Sequence, residues 1–150
     1  MKILVIAAHP DDEVLGCGGT LSKLSKNRAN KIFIAFSANG VGGRGKNDNL
    51  ILRQKESLKV SEHLGAEILN EEDDQYYRFG DQQLDQSNFN EVVGWVKGLI
   101  DSKKTEVIYT HYYGDLNRDH QIVAEAVLVA TRPNKYGLNQ SRTSFKKSDV

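Results

Sequence analysis

The chain has 150 residues, enough for one domain with a sizeable core. Its 20 Lys and Arg balance 20 Asp and Glu, so nothing electrostatic points to a nucleic acid or an anionic membrane surface as partner. Cys17 is the only cysteine, which excludes an internal disulfide and allows a reducing compartment.

Ile3 to Ala8 is an unbroken apolar run, rich in β-branched residues, and predicts a strand buried on both faces. It is too short to span a membrane and lacks a small-residue cleavage site, so a cytoplasmic protein without a membrane span is expected. The run ends in His9-Pro10-Asp11-Asp12-Glu13, one imidazole and three carboxylates in five residues. Pro10 bars a helix through His9. The spacing of Val14, Leu15 and Leu21 predicts a helix behind it, with the three acids in its first turn. Taken alone, the acids also fit a plain N-cap cluster beside a solvated histidine. Gly16, Gly18 and Gly19 interrupt this helix and suggest close packing of that turn against backbone or ligand; their position is not that of a dinucleotide fingerprint.

Lys31–Ser37 predicts a second buried strand. The glycine-rich loop Ala38–Gly45 follows, read either as a phosphate cradle or as a mobile connection covering a site. Leu50–Leu64 has helical spacing at Leu52, Leu58, Val60 and Leu64, and Gly65 suits its end. Ala66–Leu69 predicts a third, short strand, and residues 70–87 an acidic loop partly packed by Tyr76, Tyr77 and Phe79. Phe89–Ile100 predicts an amphipathic helix, and Glu106–Thr110 a fourth strand ending at His111. After the loop Tyr112–Arg118, Asp119-His120 opens a last helix with Ile122, Val123, Ala126, Val127 and Val129 as its apolar face, stopped by Arg132-Pro133. Residues 134–150 show no strand or helix pattern and are expected to form a polar tail, separate from a domain spanning 1–133.

Strands alternating with helices predict an α/β fold with a parallel sheet and right-handed crossovers. His111, Asp115, Asn117, Asp119 and His120 follow strand four as the first acidic cluster follows strand one. If the two strands are neighbours, both clusters meet where the strand order reverses. His9, Asp12 and His120 would then hold one ion, a common catalytic zinc set. Asp11 would take a proton from water, and Asp119 would hold His120 through its other ring nitrogen. His63, in the second helix beside Glu62, has no such setting and is assigned no role.

Ala8-His9-Pro10-Asp11-Asp12-Glu13, Arg53-Gln54-Lys55-Glu56 with Leu64-Gly65, and Asp115-Leu116-Asn117-Arg118-Asp119-His120 together resemble the PIG-L/LmbE-like deacetylase family over residues 1–133. The resemblance implies a Rossmann-like three-layer sandwich with a mostly parallel sheet, and a zinc-dependent hydrolase of an N-acetylated amino sugar of N-acetylglucosamine type. It implies His9, Asp12 and His120 as zinc ligands, Asp11 as general base and Arg53 as a substrate contact. Where many members carry His-Pro-Asp-His, this chain has Asn117-Arg118-Asp119-His120. Asn117 or His111 would then assist the oxyanion, but Asn117 cannot supply a proton at neutral pH. The sequence after Arg132-Pro133 does not resemble the family, so the chain is expected to be truncated or altered there. Self-association into a homo-oligomer through an uncovered sheet edge, and poor turnover, would follow. The alternatives are a non-catalytic metal- or sugar-binding remnant, and a magnesium-dependent phosphotransferase with an Asp nucleophile. Two histidines favour zinc over magnesium.

Overall fold

In the computed structural model, residues 1–42, 50–69 and 77–133 are described. The expectations for residues 43–49, 70–76 and 134–150, Tyr76 and the end of the glycine-rich loop included, lie outside them. Four parallel strands form one sheet in the order β3-β2-β1-β4: β1 (Lys2–Ala7), β2 (Lys31–Phe36), β3 (Ala66–Ile68) and β4 (Val107–Thr110). Four helices connect or follow them: α1 (Asp12–Ser25), α2 (Leu50–Leu64), α3 (Phe89–Lys103) and α4 (Arg118–Ala130). The chain steps outward from β1 to β3 and then returns to the other side of β1. That reversal sets Ile3–Ile6 against Val107–Thr110 in parallel register. The neighbourhood of strands one and four, assumed above from topology, is therefore real, and the carboxyl ends of β1 and β4 share one crevice.

Alternation along β1 builds the layers. Ile3, Val5 and Ala7 pack with Ile32, Ile34 and Phe36 from β2, and with Leu21 of α1 and Leu64 of α2. Leu4, Ile6 and Ala8 face the opposite way, onto Val92, Val96 and Ile100 of α3 and Ile122, Val123 and Val127 of α4. Ile3, Leu4 and Ile6 are wholly buried, and each contributes about 1.5–3 kcal/mol by leaving water. β1 is the most enclosed strand, which makes its end a rigid support for side chains.

The helix faces differ from the expectation in places. In α1, Val14 and Leu15 are exposed, whereas Glu13 is buried with Leu21. The α1 glycines do not mark close packing: an added Cβ at Gly16 or Gly19 meets nothing within 4 Å, and at Gly18 only Val14 of the same helix. In α2, Leu52 is exposed, and Ser57 and Ser61 are buried in its place; Ser61 satisfies its hydroxyl on Leu58 O at 2.8 Å. α3 runs past Ile100 to Lys103, ended by Lys104 in the left-handed region at φ 52°. In the described part of the expected acidic loop, Phe79 stands edge-on to Trp95, and a 3-10 turn, Leu84–Gln86, buries Leu84. Among the described residues, no helix is long and apolar enough to cross a membrane.

Candidate metal centre

The site is built from the two strand ends. His9 leaves β1 buried, and Pro10 turns the chain at once into α1, so Asp12 folds back beneath it. Asp12 Oδ2 accepts the His9 amide at 2.9 Å and lies 3.4 Å from His9 Nδ1. From the β4 side, α4 brings His120 Nε2 to 3.4 Å from His9 Nδ1 and 3.3 Å from Asp12 Oδ2. The three donor atoms form a nearly equilateral triangle. Zinc bonds of about 2.0–2.1 Å at tetrahedral angles place their donors roughly 3.3–3.4 Å apart, so the triangle fits that ion's size and ligand preference.

Each imidazole is held from behind by a carboxylate. His9 Nε2 lies 3.1 Å from Asp119 Oδ2 and 2.9 Å from Asp81 Oδ1. Both acids accept, so Nε2 carries the proton and Nδ1 offers its lone pair to the triangle. His120 Nδ1 lies 3.1 Å from Asp115 Oδ2, which fixes the opposite tautomer and leaves Nε2 as the inward donor. This corrects the expected pairing of Asp119 with His120. Neighbouring residues on a helix point about 100° apart. Asp119 therefore turns into the core, where it also accepts the Gln82 amide at 2.7 Å and the Leu84 amide at 3.2 Å.

Burial opposes charge on His9, but Asp119 and Asp12 overcome it and push its pKa up to about 9. Burial likewise opposes charge on Asp12, yet His120 and His9 hold it well below the usual carboxylate range. His120 is raised by Asp12 and Asp115 against its own burial. His111 behaves differently: burial and the neighbouring His120 push it down to about 4. It stacks on His120 with ring centroids 3.9 Å apart, and its Nε2 accepts the Ala8 amide at 2.7 Å. Neutral His111 thus extends the β1–β4 seam by one bond and keeps Nδ1 as its only donor.

Asp11 stands at the N-cap of α1 but makes no side-chain cap. Its Oδ2 accepts Arg53 Nη2 at 2.8 Å, and Arg53 also donates to Pro10 O at 2.7 Å. The structure therefore places Arg53, expected as a substrate contact, directly on the base candidate. Asp11 is 39% exposed at its side chain, against 15% for Asp12 and 2% for Asp119. The described part of the glycine-rich loop lies over this group: Gly40, at φ +66°, would meet His9 Cβ at 3.1 Å and Arg53 Nη2 at 3.2 Å if it carried a Cβ. Only glycine fits both that backbone and that gap.

Asn117 caps α4, its Oδ1 accepting the Asp119 amide at 2.9 Å. Two residues of the site were not foreseen. Asp81 lies in a polar stretch with no periodicity, and nothing in the sequence ties it to His9. Glu13, by its sequence position a first-turn charge, is buried, and its Oε2 accepts the Asp11 amide at 3.0 Å.

Fold and donor set together define a Rossmann-like α/β protein with a His–Asp–His metal-type centre at the switch point of its parallel sheet. The family described as PIG-L, GlcNAc-PI de-N-acetylase, matches residues 4–131, and the chain belongs to it. The Escherichia coli K12 protein named uncharacterized deacetylase YaiS is 30% identical over 135 residues, covering 87% of this chain and 68% of YaiS. Two solved structures share the fold. The 4-carboxy-2-hydroxymuconate hydratase GalB of Pseudomonas putida KT2440 has TM-score 0.70 and 18% identity, over 87% of this chain and 55% of its own. The N,N′-diacetylchitobiose deacetylase of Pyrococcus horikoshii has TM-score 0.69 and 22% identity, over 87% of this chain and 49% of its own. The chain spans about half the length of these two structures. A hydratase on the same fold shows that fold alone does not select the reaction.

Proposed function

We propose that the chain is a zinc-dependent hydrolase that removes the acetyl group from an N-acetylated amino sugar of N-acetylglucosamine type. The observation that carries this reading is the equal-sided His9–Asp12–His120 triangle with a carboxylate behind each imidazole, set beside the partly exposed carboxylate of Asp11. Membership of the family and the deacetylase names of its relatives support it.

His9, Asp12 and His120 would hold one zinc ion, which supplies Lewis-acid activation of a water molecule and of the amide carbonyl. Asp11 accepts the proton that water loses as it adds to the acetyl carbon, and returns it to the leaving nitrogen as the C–N bond breaks. Acetate and a free amine result. Arg53 fixes the Asp11 side chain during both transfers, and meets substrate from that same place. Asp81 and Asp119 keep the proton of His9 on Nε2, away from the ion. The amide NH2 that Asn117 has left after capping, and His111 Nδ1–H, are the side-chain donors for the developing oxyanion.

The test is acetate release from N-acetylglucosamine and N,N′-diacetylchitobiose by the zinc-loaded chain, alongside its zinc content. One zinc per chain and measurable acetate are expected. Asp11→Asn is expected to keep the zinc and lose on the order of 10²–10⁴-fold in kcat. One zinc per chain with no acetate would leave a site that binds without hydrolysing.

A further inference from the structure

Asp11 is an aspartate at a helix N-cap that does not cap. An N-cap side chain ordinarily accepts a first-turn amide, and Asp is among the best residues for it. Here the Asp11 side chain makes no such bond, and its backbone sits at φ 117°, ψ −28°. A non-glycine residue in such a region costs of order 1–3 kcal/mol and persists only where its surroundings over-determine it. Those surroundings can be named. The Asp11 carbonyl accepts the amides of Val14 at 3.1 Å and Leu15 at 3.0 Å. Its carboxylate and the Pro10 carbonyl are both taken by Arg53. Its amide, which in this backbone turns toward the helix, is taken by Glu13 Oε2. Glu13 is 3% exposed, although an acid in a first turn has no need of burial to serve the helix dipole.

Resting on the reading of Asp11 as the base, we propose that Glu13 is a positioning residue for the reaction: it fixes the backbone that aims the Asp11 carboxylate. By accepting the Asp11 amide from within the fold, it stabilises the left-handed backbone that turns the carboxylate toward Arg53 and away from the first-turn amides. Without that acceptor, Asp11 relaxes toward an ordinary N-cap conformation. Its carboxylate then turns to the amides of the first turn and away from the water it must deprotonate. The metal triangle is untouched, because Asp12 is held by its own bond to the His9 amide.

Glu13→Gln keeps an acceptor oxygen and loses the charge; Glu13→Leu keeps similar bulk and loses the acceptor. Glu13→Leu is expected to bind one zinc per chain, to leave KM within about threefold and to lower kcat roughly 10–100-fold, the scale of a misplaced catalytic group. Glu13→Gln is expected to stay within about threefold of the parent in kcat. Independently of activity, the Asp11 backbone amide should be protected from hydrogen exchange in the parent and in Glu13→Gln, and unprotected in Glu13→Leu. The inference is overturned by full kcat in Glu13→Leu, by an equal loss in Glu13→Gln, or by an Asp11 amide that exchanges freely in the parent. The last measurement decides the matter even if Glu13→Leu does not fold. Asp11→Asn separates the two readings: full activity there refutes Asp11 as base, whereas loss there with full activity in Glu13→Leu refutes only the role of Glu13.

Discussion

At the end of β1, the His9 amide is tied to Asp12 and the Asp11 amide to Glu13 within five residues of chain, and the His9 ring is held by two carboxylates from distant segments, Asp81 and Asp119, at 4% and 2% side-chain exposure. At the end of β4, a loop does the corresponding work. Tyr112, Tyr113 and Leu116 stand in solvent there, and the single carboxylate behind His120, Asp115, is 37% exposed. A carboxylate in a low-dielectric interior orients an imidazole more firmly than one in contact with water. One side of the metal triangle is thus preset by the fold, and the other is adjustable.

The comparison breaks if the two supporting acids matter equally. His120→Ala, which removes one of the three proposed ligands, is expected to lose zinc on dialysis. Asp119→Asn is expected to weaken zinc binding about 10–100-fold, the usual cost of losing such a partner. Asp115→Asn is expected to cost less, under about tenfold. Competition with a zinc-binding dye measures all three, and equal losses in the two Asp variants would show that burial does not set the difference.

The effect of pH sharpens the same contrast, because His9 at the end of β1 and His111 at the end of β4 are shifted in opposite directions, with His120 raised as His9 is. His9 is raised to about 9, so its contribution to the metal-free fold is full below the unfolded value near 6.5 and is lost as pH rises toward 9. His111 is lowered to about 4, so its contribution is full above 6.5 and is lost as pH falls from there. Metal-free protein should therefore melt highest near pH 6.5. Zinc requires the neutral ring of His9, so its apparent affinity should rise between pH 6.5 and 9, by up to about tenfold per unit for each proton released. Thermal melts and zinc titrations across that range should slope in opposite directions. Parallel slopes would mean that His9 is not the ligand that gives up a proton.

The sheet was legible because Ile3–Ala8 and Ile32–Phe36 are short continuous apolar runs rich in β-branched and aromatic residues, the pattern of a strand covered on both faces. The meeting of the two clusters was legible as well, since a reversal of strand order beside β1 follows from general topology. The residues behind the ligands were less so. Asp119 and His120 are adjacent in sequence, and adjacency suggested a partnership that helical geometry forbids. Asp81 reaches His9 from a segment without pattern, and only tertiary packing creates that contact. Hydrophobic spacing also misread α1 and α2, where Glu13, Ser57 and Ser61 are buried through hydrogen bonding or fit, and Leu15 and Leu52 are left in solvent.

The smallest expected effect concerns Asn117, on the adjustable side of the site. Its Oδ1 already caps α4 by accepting the Asp119 amide, and the Asp115 carboxylate accepts the Asn117 amide at 2.8 Å. Removing the cap with Asn117→Ala should cost about 1 kcal/mol of stability, read as a lower denaturant midpoint at unchanged slope. Asn117→Asp should keep that stability, because aspartate caps as well as asparagine. The same substitution replaces the amide NH2 with an acceptor, so it separates the two uses of the side chain. If Asn117 donates to the oxyanion, Asn117→Asp should be stable and should lose on the order of 10²–10³-fold in kcat, the scale of one lost oxyanion donor. If it only caps the helix, kcat should stay within about threefold of the parent, and His111 Nδ1–H remains as the donor for the tetrahedral oxygen.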